Sequence, residues 1–256
     1  MGADVSLALY GGHQDDLAAA VAEIEKTEKL FSIYDPTSEL SRLNKQGGGA
    51  ISYETAQILS LCDRLHSLTG GLFDPTIQPI FKAALKGSPL PWHLVGWKKL
   101  HLTRDQLHLA PGQQMTLNGI AQGYATDKVK DLLIARGYDK ALVSVGEHAA
   151  IGGPFRLGLV DPEQGQVGTR VLENSAVATS SPLAMKMGRN PHIFHPKGDR
   201  SPSWSTVSVQ ADSAALADGL STALCLAQLD QIKAINRATG ARITMVDAEG
   251  DISTIG

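Results

Sequence analysis

The sequence predicts an α+β fold: one compact unit of mixed sheets and helices spanning residues 1–256, with room for a small lobe. Three observations predict it. Short runs with strand character, such as Val5–Leu9 and Ala141–Val145, are interleaved with longer segments of helical apolar spacing. No internal repeat and no linker divides the chain. The hydrophobic share of 43% and the charged share of 19% are those of an ordinary globular protein with a sizeable core.

The elements follow in order. Val5–Leu9 is a strand closed by Gly11-Gly12. Leu17, Val21, Ile24 and Leu30-Phe31 mark a helix over 15–31 with those residues on its buried face. Asp35-Pro36-Thr37-Ser38 is a turn whose Ser38 caps a short helix ending near Asn44, and Gly47-Gly48-Gly49 is a flexible loop. A helix over 53–69 stops at Gly70-Gly71. Residues 85–115 hold Pro, Gly and short strand-like pieces. A helix runs over 119–136 through Ile120, Tyr124, Val129, Leu132 and Leu133 to Gly137, and a strand follows at 141–145. Further strands are predicted near 155–160, 171–178 and 205–210, then helices over 216–227 and 230–238, and a terminal hairpin turning at Glu249-Gly250.

Composition narrows the function classes. A formal net charge of −3 without any Lys/Arg run argues against nucleic acid as the partner. No apolar stretch approaches the ~18–20 residues of a membrane span, and no signal-peptide pattern precedes the strand-like sequence at Asp4. Cys62 and Cys225 sit in apolar helical patterns, form no CxxC pair, and read as small core residues.

Four segments carry candidate chemistry. In Ala217–Leu224, Asp218 and Thr222 lie four apart and share a helix face, where their oxygens can hold one hard cation; the alternative is an ordinary helix start with a carboxylate near its positive end. Leu117-Asn118-Gly119-Ile120-Ala121-Gln122-Gly123-Tyr124 leads through glycines into a helix whose free N–H groups suit phosphate; the alternative is a tight turn with Asn118 as cap. In Gly70–Thr76, Asp74-Pro75 has the form of an N-cap followed by Pro at N1, while Asp74 can instead accept hydrogen bonds from a ring amine. His192-Ile193-Phe194-His195-Pro196 offers a histidine to take a proton from an attacking hydroxyl, or two ordinary loop histidines.

Taken in chain order, these segments resemble the ApbE family of FAD:protein FMN transferases. The resemblance also includes Met1-Gly2-Ala3, Ser38-Glu39-Leu40-Ser41-Arg42-Leu43-Asn44, Gly119 through Asp127, and Ala178-Thr179-Ser180. It implies phosphoryl transfer, in which FAD is the substrate, FMN passes to a threonine of an acceptor protein presenting an exposed threonine segment, and AMP leaves. It implies Mg²⁺ held by Asp218, Thr222 and a backbone carbonyl of the Gly119 turn. Met1, Leu72, Phe73, Asp74, Thr116, Asn118, Gly119, Gln122 and Ile193 would contact FAD, and His192 would be the base. The family also implies export to the periplasm. An FAD pyrophosphatase and a non-catalytic flavin-binding assembly partner are the competing readings.

The chain departs from the family pattern at several positions. Thr116 stands where many members carry Asp, Gln122 where Lys or Glu is usual, and Gly146-Glu147-His148 in place of Gly-Gly-Asp. His195 falls at the Asp of an Asp-Pro-Arg-Thr-Gly segment, and Ala215 at a second acidic position of the metal helix. These changes are expected to remove carboxylates around the pyrophosphate and leave Asp218 alone. The pairing of the Asn118–Gly123 and Gly146–His148 segments resembles the NosX-type branch linked to nitrous oxide respiration, which would place the acceptor among membrane-anchored electron-transfer proteins.

Overall fold

The computed structural model describes residues 4–12, 14–188 and 190–256. In chain order its elements are β1 (Val5–Leu9), α1 (Gln14–Phe31), α2 (Glu39–Gln46), β2 (Gly48–Ala50), α3 (Tyr53–Leu68), α4 (Gln78–Leu85), β3 (His101–Leu102), β4 (Gln106–His108), α5 (Ala121–Ala135), β5 (Ala141–Val145), β6 (His148–Ile151), β7 (Phe155–Asp161), β8 (Gly165–Leu172), β9 (Ala176–Ser180), β10 (Lys186–Met187), β11 (Asn190–Pro191), β12 (Thr206–Ala211), α6 (Ala214–Leu224), α7 (Leu229–Thr239), β13 (Arg242–Val246) and β14 (Ile252–Ile255).

The frame is a seven-stranded sheet in the order β1-β5-β6-β9-β12-β13-β14, with every neighbouring pair antiparallel. Helices α5 and α6 lie on it, α1 packs on α5, and α3 packs on α6. The principal core runs through this stack: Leu59 and Leu65 of α3 meet Leu220 and Leu224 of α6, with Val207 and Val209 of β12 among them. The expected α+β unit is thus observed. A separate three-stranded sheet, β2-β4-β3, is also formed.

Local sequence explains the helix ends. Ser38 accepts the Ser41 N–H at the start of α2, and Gly47 at φ 74° closes it. Ser52 caps α3 by accepting from the Thr55 N–H. At α6, Ser213 accepts from Leu216 N–H, while the Asp127 carboxylate of α5 accepts from Ala214 and Ala215 N–H at 2.8 and 2.9 Å. Cys62 and Cys225 are buried free thiols, as expected.

Several expectations are corrected. The buried stripe of α1 is Asp16, Ala20, Thr27 and Phe31, whereas Leu17 and Val21 are exposed. Small Ala20 packs in the cluster of Val129 and Leu133, and Asp16 is satisfied inside by Arg136 and by the Tyr138 hydroxyl at 2.7 Å. The Gly47–Gly49 loop enters a strand instead. Gly48 at φ 129° passes so near β4 that a Cβ would lie 2.2 Å from the Leu107 carbonyl oxygen. The single strand expected over 171–178 is two, β8 and β9, separated by Asn174 at φ 45°, whose Oδ1 accepts the Gly152 N–H. α4, β6 and the β10–β11 ribbon had no predicted counterpart.

Candidate active site

The site begins where α5 meets α6. Gly123 touches α6 through its backbone: a Cβ there would lie 2.3 Å from the Ala214 carbonyl oxygen. That approach brings the Asp218 carboxylate to the start of α5, where Oδ2 accepts the Gly123 N–H at 2.9 Å. In an unbroken helix this N–H would donate to the Gly119 carbonyl. Its diversion to Asp218 leaves the Gly119 carbonyl without a backbone donor among the described residues. This is also why α5 starts at Ala121 and not at 119, and why Ile120 rather than Asn118 is the residue before it. One turn along α6, Thr222 lies against Gly119, its Oγ1 3.0 Å from where a Gly119 Cβ would be. Thr222 Oγ1 is 3.4 Å from Ser180 Oγ, which pairs with Ser221 Oγ at 2.8 Å.

A second carboxylate enters the same floor. Glu147 sits at the turn between β5 and β6, and its Oε2 accepts the Thr179 N–H at 3.2 Å. Burial, and then the neighbouring charge of Asp218, raise the Glu147 carboxyl well above the ordinary glutamate range, against the pull of the Thr179 N–H. Burial lifts Asp218 to about 7 against the opposing hydrogen bond from Gly123, and the charge of Asp127 adds to the rise. Glu147 and Asp218 therefore line one cleft. The Gly146-Glu147-His148 segment was read as a loss of acidity, yet it delivers a carboxylate to the cleft from a different backbone position.

The walls close a cleft of about 420 Å³. Leu72, Phe73, Phe81, Met187, Ile193 and Phe194 make one part apolar, with Phe81 and Phe194 edge to face at 5.7 Å. Thr116, Asn118, Gly119, Gln122, Thr179 and Ser180 line the polar part together with Glu147, Asp218 and Thr222. Among the described residues no lysine or arginine lines it. Asp74 reaches the cleft, but its carboxylate is held by its own loop. Oδ1 accepts from the Thr76 N–H and hydroxyl at 2.9 and 2.6 Å, and Oδ2 accepts from the Trp97 N–H at 3.0 Å. Asp74 is thus the N-cap that its Asp-Pro sequence suggests, with Oδ2 retaining a second acceptor position.

His192 hangs on the loop after β11 and also lines the cleft. Its Nδ1 lies 2.9 Å from the Pro182 carbonyl and 3.2 Å from the Met185 carbonyl. Carbonyls only accept, so the proton of the neutral ring belongs on Nδ1 and Nε2 carries the lone pair. His195 is elsewhere. It lines a smaller cavity of about 240 Å³ with Lys197 and Arg200 and accepts the Lys197 N–H at Nδ1; burial, then the charges of Arg200 and Lys197, push its pKa below the ordinary histidine range.

The structure therefore gathers Leu72, Phe73, Asp74, Thr116, Asn118, Gly119, Gln122, His192, Ile193, Asp218 and Thr222 around one cleft, while Met1 lies outside the described residues. Sequence reasoning gave no role to Thr179, Ser180 or the Phe31–Tyr34 segment at the rim, and gave Glu147 no place in the floor. Ala178-Thr179-Ser180 was visible as a motif but carried no spacing that would aim it at a ligand.

Fold and cleft together define an α+β protein organised around one cleft, apolar on one side and rich in oxygen acceptors on the other. The profile described as "ApbE family" matches residues 1–246. An FAD:protein FMN transferase of Klebsiella pneumoniae is 26% identical over 201 residues, which is 70% of this chain and 63% of that protein. One from Vibrio cholerae is 26% identical over 255 residues, 87% of this chain and 76% of the relative. The ApbE protein of Thermotoga maritima superposes with a TM-score of 0.85 at 22% identity, covering 97% of this chain and 92% of that one. The chain belongs to the ApbE family. Its match takes in just under two thirds of the Klebsiella relative's own length.

Proposed function

We propose that this protein takes FAD, transfers its FMN half to a threonine hydroxyl of an acceptor protein, and releases AMP, with Mg²⁺ bound at the cleft floor. The observation that carries this reading is the charge of the cleft. A dinucleotide brings an anionic pyrophosphate, yet the polar part of the cleft offers buried carboxylates and no cationic side chain among the described residues. A bound cation would let such a site hold an anionic ligand. The donors available are hard oxygens: the Asp218 carboxylate, Thr222 Oγ1 and the released Gly119 carbonyl. They fit Mg²⁺, which takes few protein ligands and keeps waters. When bound, Mg²⁺ neutralises charge on the pyrophosphate and on the departing phosphate.

The remaining work belongs to side chains. The apolar wall of Leu72, Phe73, Ile193 and Phe194 receives the flat ring system and excludes water from it. The start of α5, with Asn118, Gly119 and Gln122, lies against the phosphates. Nε2 of His192 takes the proton of the threonine hydroxyl as its oxygen attacks the FMN phosphorus. The bond from that phosphorus to the bridging oxygen then breaks, and AMP carries the electron pair away. No covalent protein intermediate is required.

The printed function of the relatives, FAD:protein FMN transfer, supports the same reading. In this reading the acceptor is an electron-transfer protein of nitrous oxide respiration and the compartment is the periplasm. The support for the acceptor is the likeness of the Asn118–Gly123 and Gly146–His148 segments to the NosX-type branch, and the compartment is what the family resemblance implies. The test is to incubate the protein with FAD, Mg²⁺ and a candidate acceptor. An FMN-sized mass gain on the acceptor with matching AMP is expected. Release of free FMN and AMP without a mass gain would make the protein a pyrophosphatase, and no AMP at all would make it a flavin carrier.

A further inference from the structure

We propose that Glu147 is a further ligand of the divalent cation, its carboxylate sharing the ion with Asp218. The proposal rests on the metal-dependent reading above and adds to it a residue the sequence pattern counted as a loss.

The geometry starts from the hairpin. Gly146 at φ 87° makes the turn from β5 to β6, and the Val145 N–H donates to the Glu147 carbonyl at 3.1 Å. A Cβ on Gly146 would lie 2.7 Å from the Gln122 side chain, so the turn is pressed onto the start of α5. Thr126 Oγ1 reaches the Glu147 carbonyl from α5 at 3.3 Å and fixes the turn from beneath. Glu147 thus lines the same cleft as Asp218, on a turn packed against the start of α5. Both side chains are more than nine-tenths buried, at 8% and 4% exposed.

Each carboxylate is bonded at one oxygen and open to the cleft at the other. Glu147 Oε2 has the Thr179 N–H and Asp218 Oδ2 has the Gly123 N–H. The second oxygen of each accepts no hydrogen bond from a described residue, and both residues line the cleft, which holds no lysine or arginine among the described residues. A buried carboxylate normally gains a cation or further donors. Two lining one cleft, with Thr222 Oγ1 and the Gly119 carbonyl, offer hard oxygens that a small divalent cation can bring together. Ala215 occupies the position where the family pattern has a second acid, and Glu147 supplies that charge from the facing strand pair.

The test is cation binding in the absence of FAD. Mg²⁺ and Mn²⁺ are titrated by calorimetry into the wild-type protein, Glu147→Gln and Asp218→Asn, with metal-free melting curves to check folding. The glutamine amide oxygen can still accept from Thr179, so a fold-intact variant is expected. If it does not fold, Glu147→Asp replaces it, keeping the charge on a shorter stem. The expected result is a fall in Mg²⁺ and Mn²⁺ affinity in the Glu147 variant of at least the ~10-fold that even outer-shell partners of a metal carry. Wild-type affinity in that variant, together with loss in Asp218→Asn, would leave the cation site standing and remove Glu147 from it. A wild-type protein that binds neither ion, with or without FAD, would remove the metal reading and this inference together.

Discussion

At the scale of single residues, the division of labour in the cleft is sharp enough to test by one-atom changes. The Pro182 and Met185 carbonyls fix the tautomer of His192, leaving Nε2 as the acceptor. His192→Ala is expected to slow FMN transfer at saturating FAD and Mg²⁺ by ~10²–10⁴-fold while leaving FAD affinity within a few-fold. A wild-type rate across pH 6 to 8 would take the base away from His192. Asp218→Asn removes a negative charge but keeps an oxygen for the Gly123 N–H. It should abolish the response of transfer to Mg²⁺ and leave metal-free unfolding unchanged or slightly improved, read by transfer at limiting Mg²⁺ beside a melting curve. Asp218 and Thr222 were legible because a helix places residues four apart on one face. Glu147 was not, because a glutamate after a turn glycine has no period to betray its direction, and only the packing of that turn on α5 aims it.

At the scale of elements, the site depends on two helices touching without side chains between them. Gly123→Ala would push a methyl to within 2.3 Å of the Ala214 carbonyl oxygen, and backbone cannot rotate out of the way as a long side chain can. A loss of ~1–3 kcal/mol is expected from overpacking, with α5 and α6 forced apart and Asp218 drawn away from the start of α5. The shift in the urea midpoint measures the first effect and Mg²⁺ affinity the second. Asp127→Ala should cost ~0.5–2 kcal/mol, because the carboxylate satisfies two N–H groups at the start of α6. Long helices that end at glycines, α3 and α5 among them, could be read directly, although the start of α5 could not. β2 was hidden because three glycines read as slack, although Gly47 closes α2 at a positive φ and Gly48 is demanded by its close approach to β4. On α1 the largest apolar residues misled the reading, since small Ala20 and a paired Asp16 occupy the buried stripe.

At the scale of the whole molecule, the carboxylate pair ties folding stability to pH and to the cation. Unfolded carboxyls ionise near ~4, whereas burial holds Asp218 to about 7 in the fold and raises Glu147 with it. Between those values the native state keeps protons that the unfolded chain has released, so stability falls as pH rises from ~4 toward 7. A cation that replaces those protons restores it. Mg²⁺ is therefore expected to raise the melting temperature more at pH 8 than at pH 5.5, and equal shifts at the two pH values would count against the pair as the site. The α+β class and the order of its main elements were legible from periodicity. The seven-strand order was not, since pairs such as β6 with β9 join segments separated by the β7–β8 hairpin, which forms a sheet of its own.

The cleft draws its lining from Phe31 through Leu226. On the ribosome, the glycine turn at Gly119 emerges about a hundred residues before Thr222, an interval of roughly 5–20 s at ordinary rates of synthesis. Throughout that interval the nascent chain holds half a pocket, with Leu72, Phe73 and Ile120 waiting for the helix that will cover them. Flavin capture is therefore expected to be a post-translational event. A messenger truncated ahead of Asp218 should yield a product that chaperones retain and that FAD does not rescue.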